Sequence, residues 1–414
     1  MRVLIKQFAL FLVIFKSLAQ EQLEVNSPDF IKSIVFVGPT QDQFPIIQLG
    51  ESINLTFDDL TASEQDYYYK IIHCNYDWTP SQLLKSQYLN GADNQLIINY
   101  ENSYNTLQPY SNYTLTLPND EVSFKVSGNY MLEIYNSTGD IQFSRRFLIY
   151  ENKAAVSATV KRSRDFNYLN TKQVIQFTIN TSNVKVVNPK EQIKTNIIQN
   201  YQWNTSINTL KPQFTLGNEL VYKYDQEASF YGGNEYLNFD TKDLRSPTFA
   251  ISRIEYTDVY HHYLFANQLR KDQKYTYFPD INGDFQIRTL QGSDVSREAE
   301  YTLVHFKLPY TAELGLNSIY VTGKFNNYDL TEENKMAYNE ETGYFELAYP
   351  FKQGFYNYKY VMVKEDGSVE PNFISGDFHF TENNYLILVY FRNFGDVYDS
   401  LIGIGNTNSE TITN

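Results

Sequence analysis

The most regular alternation of apolar and polar side chains lies in residues 67–81, which read YYYKIIHCNYDWTPS. A repeat of two residues is typical of a β-strand, because successive side chains point to opposite faces. The even-numbered face is mostly large and apolar: Tyr68, Lys70, Ile72, Cys74, Tyr76 and Trp78. The odd-numbered face becomes polar toward its end: Tyr67, Tyr69, Ile71, His73, Asn75 and Asp77. The pattern therefore predicts a strand whose even face packs on a core and which ends before Pro80.

Short segments with the same period of two follow one another along the chain. Between residues 33 and 150 we predict about seven or eight strands, separated by turns rich in Gly, Asn, Asp and Pro. The pattern predicts an all-β protein made of tandem Ig-like β-sandwich domains. Polar stretches at residues 151–153 and 293–300 mark the expected boundaries. We expect an N-terminal β-sandwich over 20–152, a middle β-rich domain over 153–296, a C-terminal Ig-like β-sandwich over 297–405 and a flexible tail over 406–414.

The first nineteen residues have the pattern of a cleaved signal peptide. Arg2 and Lys6 precede the apolar run FALFLVIF, which is too short to span a bilayer. Residues 17–19, Ser-Leu-Ala, fit the small-x-small cleavage rule and predict a mature chain that starts at Gln20. No later stretch has the length and hydrophobicity of a membrane-spanning helix, so we expect an exported, soluble protein.

Composition adds two constraints to this picture. Aromatic residues make up 16% of the chain, with 36 Tyr and 29 Phe, which favours strands and supplies large cores. The net charge is -14 and no basic block is present, which argues against nucleic acids and anionic membrane surfaces as partners. The single cysteine, Cys74, cannot form an intrachain disulfide and is expected to be a small buried apolar residue.

The sequence contains no catalytic motif, and we predict no catalytic residue, no cofactor and no metal site. His261 and His262 are adjacent, so on a strand they face apart and do not form a metal pair. Residues 280–284 resemble the start of a calcium loop, but Phe285 stands where glycine is required, so we predict a turn instead. The surfaces of tyrosine-rich sandwiches suit protein–protein contact, and a non-enzymatic role is expected.

The last region resembles the Ig-like glycogen-binding modules that accompany α-glucan enzymes. The residues that carry this likeness are Gly323, Phe325, Asn326, Lys335, Met336, Gly354, Tyr356, Tyr358 and Lys359. Tyr328 stands where that family has a tryptophan. The resemblance implies an E-set type fold for residues 297–405. It also implies an alternative function, an exported carbohydrate-binding protein that uses this domain.

Nearly the whole mature chain resembles the plug-protein family of the type IX secretion system of Bacteroidetes. The ordered motifs behind this resemblance are FDDL at 57–60, YYYKIIHCNYDWTPS at 67–81, LPND at 117–120, SGNY at 127–130, QNYQW at 199–203, GGNEY at 232–236, PDING at 279–283 and YDSLIG at 398–403. The family implies a periplasmic protein at the inner side of the outer membrane. It would bind the β-barrel translocon and occlude its periplasmic opening when no cargo is engaged.

We expect a monomer whose contact with the translocon involves the segment around residues 67–81, either directly or as a scaffold. The candidate partner-binding residues are Asp58, Asp59, Tyr67, Tyr69, His73, Asn75, Asp77 and Trp78. Two of these assignments have alternatives. The Asp58–Asp59 pair could be acid–base carboxylates or turn residues, and Trp78 could line a groove or pack in a core. An exported hydrolase and a secreted cargo protein are the other classes considered.

Overall fold

The computed structural model describes residues 20–39, 44–315, 317–410 and 412. The predicted signal peptide, 1–19, lies outside the described residues. The prediction of an all-β fold is confirmed: strands form most of the regular secondary structure of the described chain, which contains only three short α-helices and three 3-10 turns. Among the described residues, none of the helices reaches the length and hydropathy that a membrane span requires.

The first domain is a sandwich of two sheets, and its elements are β1 (Ile31–Val37), β2 (Ile46–Gln48), β3 (Ile53–Asp59), β4 (Tyr67–Cys74), α1 (Lys85–Tyr88), β5 (Leu89–Gly91), β6 (Gln95–Leu96), β7 (Asn99–Asn102), β8 (Ser111–Leu117), β9 (Val122–Phe124), β10 (Gly128–Asn136) and β11 (Ile141–Tyr150). The two sheets have the orders β1-β3-β8-β7 and β2-β11-β10-β4-β6. Their facing side chains, among them Phe57, Tyr113, Tyr130 and Phe147, form one aromatic core. Stacked and edge-to-face ring pairs in this core suit the high tyrosine and phenylalanine content.

The second domain begins with β12 (Ala155–Arg162), β13 (Lys172–Asn180), α2 (Pro189–Gln192), β14 (Ile193–Gln199), a 3-10 turn (Trp203–Thr205), β15 (Phe214–Leu216), β16 (Glu219–Tyr222) and β17 (Ser229–Tyr231). Strands β12, β13, β16 and β15 form one sheet in that order, with β17 also paired to β13. Strand β14 does not join this sheet, and its partners come from the far end of the chain.

The third domain consists of β18 (Leu237–Asp240), β19 (Ile251–Tyr256), β20 (Tyr260–Leu264), β21 (Phe285–Ile287), α3 (Val295–Glu298), β22 (Tyr301–Pro309), β23 (Ser318–Thr322), β24 (Ala337–Asn339), β25 (Tyr344–Lys352), β26 (Gly354–Val363) and β27 (Val369–Glu370), with 3-10 turns at Lys324–Asn326 and Glu332–Asn334. One sheet is β19-β20-β22-β25-β24, and the other is centred on β26, which pairs β18, β21, β23 and β27. Phe239, Phe306 and Tyr358 are among the side chains packed between them.

The chain then returns to the second domain through β28 (Asn384–Phe391) and β29 (Ser400–Asn408). These strands form a three-stranded sheet in the order β14-β28-β29, with an antiparallel register from Ile193 opposite Phe391 to Gln199 opposite Tyr385. One face of this sheet packs on the β12-β13-β16 sheet, and the other packs on the first domain. The third domain is therefore inserted into the second.

The predicted boundaries of the last two domains are wrong for this reason. The boundary at 296/297 divides the third domain, because β18 to β21 lie before it and pair with, or pack on, strands that follow it. The predicted C-terminal domain also contained residues 384–405, which belong to the second domain. The flexible tail predicted from 406 is wrong at its start, because β29 continues to Asn408 and the Ser409 hydroxyl donates to the Thr381 carbonyl oxygen.

Candidate functional site

Strand β4, at the centre of the predicted site, packs on both faces, although Tyr68, Lys70 and Ile72 on its even face are partly exposed. The odd positions Tyr67, Tyr69 and Ile71 lie in the core of the first domain. On the even face, Cys74 and Trp78 lie in a second cluster, between the first domain and the β14-β28-β29 sheet. The predicted packing of the even face on a core is confirmed for Cys74 and Trp78, and the odd face is a core face as well. The odd face forms the sandwich core, and the even face forms a domain junction.

Asp58 lies at the junction of the first and third domains and is completely buried. Its carboxylate accepts hydrogen bonds from Lys352 Nζ at 2.8 Å, Tyr301 Oη at 2.6 Å and Asn112 Nδ2 at 2.7 Å. Lys352 is also buried, and its ammonium lies 4.1 Å from the ring centroid of Tyr110. This buried ion pair joins β3 to the end of β25. Neither interpretation made from the sequence, an acid–base carboxylate or a turn cap, describes Asp58.

The neighbouring residues Asp59, Tyr67 and Tyr69 are buried inside the first domain. The Tyr67 hydroxyl donates to Asp59 Oδ2 at 2.9 Å, and Asp59 Oδ1 accepts from the backbone N–H and the hydroxyl of Thr61. The turn interpretation of Asp59 is thus correct. The Tyr69 hydroxyl accepts from Asn119 Nδ2 at 3.1 Å. These side chains fix the shape of the first domain and offer no surface to a partner.

His73 is buried where the first domain meets residues that follow β28. Its Nδ1 lies 2.8 Å from Ser81 Oγ, and its ring packs edge-on to Tyr398 with centroids 5.5 Å apart. Burial lowers the pKa of His73 to about 4, so the imidazole is neutral at neutral pH. Gly128 lies beside it, and a Cβ there would come within 2.4 Å of His73 Nε2.

Asn75 and Asp77 are the two predicted residues that keep part of their surface in solvent. Asn75 Oδ1 accepts from Arg392 Nη2 at 2.7 Å, which ties the end of β4 to the second domain. Asp77 Oδ1 accepts from the backbone N–H and the hydroxyl of Thr79 and so closes a turn. Direct contact with a partner through Asn75 and Asp77 stays a prediction.

Trp78 is part of a cation–π stack that spans the first two domains. The Arg146 guanidinium lies 4.4 Å from the Trp78 ring centroid and 5.6 Å from that of Trp203. The two indole rings meet edge-to-face at 4.8 Å. Arg146 Nη2 also donates to Glu21 Oε1 at 2.9 Å, which brings the start of the described chain to the same junction. Core packing, the plainer of the two interpretations of Trp78, is correct.

Sequence analysis missed the charged residues that complete these junctions. Asp399 is fully buried, and its carboxylate accepts from Lys194 Nζ at 2.9 Å and from two nitrogens of Arg392 at 2.9 Å and 2.8 Å. The backbone N–H of Tyr76 also donates to it. The motif YDSLIG, which contains Asp399, was the available signal. The hydrophobic pattern of the sequence could not connect Asp399 with Arg392 or Lys194, because the three residues meet only in the folded sheet.

The adjacent residues His261 and His262 lie on strand β20. Among the described residues, no group of three or more His, Cys, Asp or Glu side chains is placed to hold a metal ion. His261 and His262 face apart as expected, since His262 is buried while His261 Nδ1 lies 2.9 Å from His305 Nε2. Residues 282–283 form the predicted turn, with φ of 55° at Asn282 and 86° at Gly283.

Tyr328 occupies the position of the tryptophan in glycogen-binding modules, and its side chain is directed inward. A Cβ on Gly283 would lie 2.4 Å from Tyr328 Oη, so this hydroxyl fits against the 279–283 turn. A sugar ring needs an open aromatic face on which to stack. The position of Tyr328 therefore does not favour the alternative function of carbohydrate binding.

The third domain carries an exposed aromatic patch, which we define as Phe249, Phe265, Tyr277 and Phe278. Phe249 is 84% exposed and its ring stacks on Phe278 with centroids 6.0 Å apart. The backbone N–H of Phe265 donates to the Ala250 carbonyl oxygen, which places Phe265 next to this pair. Contiguous exposed apolar side chains commonly mark contact surfaces. The patch is distant in sequence from every residue predicted to bind a partner.

The fold and its junctions define a class, namely multi-domain β-sandwich proteins whose domains are tied together by buried polar and aromatic contacts. The family model for the type 9 secretion system plug protein 1st domain matches residues 31–151, which span the first sandwich. The solved structure of a hypothetical protein from Parabacteroides merdae ATCC 43184 is similar over 94% of this chain and 100% of that one, with 33% sequence identity and a TM-score of 0.88. Among curated proteins, none matches. The chain belongs to the type 9 secretion system plug protein family, a family of secretion-system components.

Proposed function

We propose that this protein is a non-enzymatic periplasmic plug, which binds the outer-membrane translocon barrel of the type IX secretion system and occludes its periplasmic opening when no cargo is engaged. Family membership over residues 31–151 is the observation that carries the proposal. Steric occlusion requires a body of fixed shape rather than a set of reactive groups. No cofactor is needed for it, and the protein acts as a monomer at the inner side of the outer membrane.

The domain junctions support a body of fixed shape. The Asp58–Lys352 pair joins the first and third domains. In the second domain, Arg392 pairs with Asp399 and also donates to Asn75 of the first domain, which joins these two domains. Breaking a buried ion pair leaves an uncompensated charge, which costs about 3–5 kcal/mol. The three domains are thus held against independent movement, as an occluding body requires.

The first experiment is a pull-down of the tagged mature protein, residues 20–414, from gently solubilised native envelopes. Mass spectrometry of the bound fraction should recover a very large outer-membrane barrel in near-equal amount. Recovery of the protein alone, even after crosslinking of intact cells, would show that it is not a plug.

The exposed aromatic patch provides a second experiment on the same complex. We expect a Phe249→Ser/Phe278→Ser double variant to lower barrel recovery by at least about tenfold, because aromatic contacts dominate binding energy at interfaces. Phe166→Ser is the matched control, since Phe166 is a single phenylalanine, 89% exposed, on the second domain. Asp77→Asn tests the predicted contact at the end of β4. Unchanged recovery with the double variant would assign the contact to another surface.

A further inference from the structure

A groove of about 550 Å³ lies between the second and third domains. Its walls come from the end of β14 and from residues 229–234 on one side, and from β23, β26 and β27 on the other. Seven of the lining residues are asparagine or glutamine, and Tyr231, Leu330 and Val369 form apolar parts of the wall. The groove is separate from the exposed aromatic patch and from the candidate residues of strand β4.

Lys359 is the charged residue in this lining. Its side chain is half-buried, and within the described part of the chain its ammonium makes no hydrogen bond or ion pair. The ammonium lies 5.8 Å from the ring centroid of Tyr236. Asp377 is the carboxylate whose charge acts on Lys359, but Asp377 Oδ1 already accepts from the backbone N–H of Gly233 at 3.0 Å and from Asn372 Nδ2 at 2.7 Å. Burial lowers the pKa of Lys359 to about 8, which leaves it mostly cationic at pH 7.

Thr322 lies directly opposite Lys359 in the β23–β26 pairing, so the two side chains share one face of the sheet. Thr322 lines the groove and is buried, yet its hydroxyl has no hydrogen-bond partner. Asn357 precedes Lys359 by two positions on the same face of β26, and its Nδ2 also lacks an acceptor. One face of this sheet therefore holds a lysine that forms no direct ion pair and two further donors without acceptors, and Lys359 and Thr322 among these three line the groove.

We propose that the groove is a binding site for a carboxylate, held by Lys359 with Thr322 as the second donor. One lysine balances a single negative charge, whereas a phosphate dianion needs more cationic groups than the groove provides. The charge of Asp377 also acts on Lys359, which further limits the negative charge that the groove can hold. The amides and apolar side chains around Lys359 suit a carboxylate carried on a peptide, such as a glutamate side chain. This inference goes beyond the proposed occlusion of the translocon and does not depend on it.

The test uses the mature full-length protein and two capped peptides, acetyl-Gly-Glu-Gly-amide and its neutral counterpart acetyl-Gly-Gln-Gly-amide. Ligand-observed NMR titration gives a Kd for each. We expect the Glu peptide to bind at least about tenfold more tightly, because a charge-assisted hydrogen bond in a sheltered site is worth that much. Lys359→Met should reduce the ratio to about one. Lys364→Met, which removes an exposed lysine paired with Glu370, should leave the ratio unchanged.

Thr322→Val is a second, nearly isosteric variant, expected to weaken binding of the Glu peptide about threefold or more while the Gln peptide is unaffected. Sodium acetate competition identifies the source: displacement at equal concentration assigns the site to a free carboxylic acid, and weak displacement assigns it to a peptide. The proposal is overturned if both peptides bind equally to the unmodified protein. It is also overturned if the preference survives Lys359→Met, or if inorganic phosphate displaces the Glu peptide at lower concentration than acetate.

Discussion

Replacing Asp58 by asparagine removes one partner of the buried ion pair between the first and third domains. The side chains of Asp58 and Lys352 are both almost fully buried. The Lys352 ammonium of the variant would therefore lie in the interior without its counter-ion. Burial lowers the pKa of Lys352, and Asp58 is the first of the groups that raise it, so the loss of Asp58 removes the main group that opposes desolvation. Asparagine has nearly the same size as aspartate, and its single Oδ1 can still accept from Tyr301 and Lys352, while its Nδ2 faces the Asn112 amide, which must turn to present its oxygen. The variant therefore tests charge rather than packing.

The expected loss follows from the geometry. At a separation of 2.8 Å and an effective dielectric constant of about 20, Coulomb's law gives about 6 kcal/mol for two unit charges. Desolvation of both ions offsets part of that attraction, and breaking a buried pair on one side costs about 3–5 kcal/mol in practice. We expect Asp58→Asn to lower the free energy of unfolding by this amount. The double variant Asp58→Asn/Lys352→Met should be more stable than the single one, because it buries no charge.

The assay is equilibrium urea unfolding at pH 7, followed by intrinsic fluorescence, with size-exclusion chromatography to show that each variant is folded. Glu332→Gln is the control, since Glu332 forms an exposed pair with Lys335 and should leave the unfolding free energy unchanged. The reasoning is refuted if Asp58→Asn is as stable as this control. It is equally refuted if the double variant is no more stable than Asp58→Asn, because the cost would then not arise from an isolated charge.

Three further predictions concern buried groups near the junctions. Burial lowers the pKa of His73 to about 4. The neutral imidazole therefore stabilises the fold fully above about pH 6.5, and this stabilisation is lost as the pH falls toward 4. In urea unfolding curves, His73→Gln should reduce the dependence of the unfolding free energy on pH. Burial, and after it the charge of Glu235, raise the pKa of Asp280 to about 7. As the pH rises from about 4 to 7, the unfolding free energy of the unmodified protein should therefore fall relative to that of Asp280→Asn. The same pH profile for both proteins would disprove this. Gly128→Ala should lower the melting temperature clearly more than Gly139→Ala. Both glycines have a positive φ, but an added Cβ clashes with His73 only at Gly128. Equal melting temperatures of the two variants would contradict this clash.

The period of two predicted most of the strands, because alternation is a local property of the chain. It correctly identified β4 and the packing of its even face, but it did not show that the odd face also packs on a core. The odd face lies in the core of the first domain, and the end of the even face packs on the β14-β28-β29 sheet. Where a strand packs on two layers, a polar residue such as His73 can be buried on a face that becomes polar in the sequence.

The domain insertion lay beyond sequence reasoning for a related reason. The residues of β28, Asn-Tyr-Leu-Ile-Leu-Val-Tyr-Phe, are apolar on both faces, and such a run shows that a strand is buried without showing its partner. Pairing with β14 joins residues near 195 to residues near 389, across the whole third domain. Asp58 and Lys352 are still farther apart in the sequence, by 294 residues. The predicted site residues were therefore important for the fold, while the charges that complete their environment could not be assigned.

The motifs that carry the family resemblance meet one another at the domain junctions. FDDL supplies Asp58, which pairs with Lys352, and YDSLIG supplies Asp399, which lies against the segment that follows β4. GGNEY and PDING meet where Asp280 Oδ2 accepts from the backbone N–H of Tyr236. A protein that works by steric occlusion depends on the relative placement of its domains. Sequence similarity within such a family would then report the contacts that fix this placement. On the proposed function, we expect the main partner-binding surface to lie outside the buried parts of these motifs, and the exposed aromatic patch of the third domain is the first surface to test.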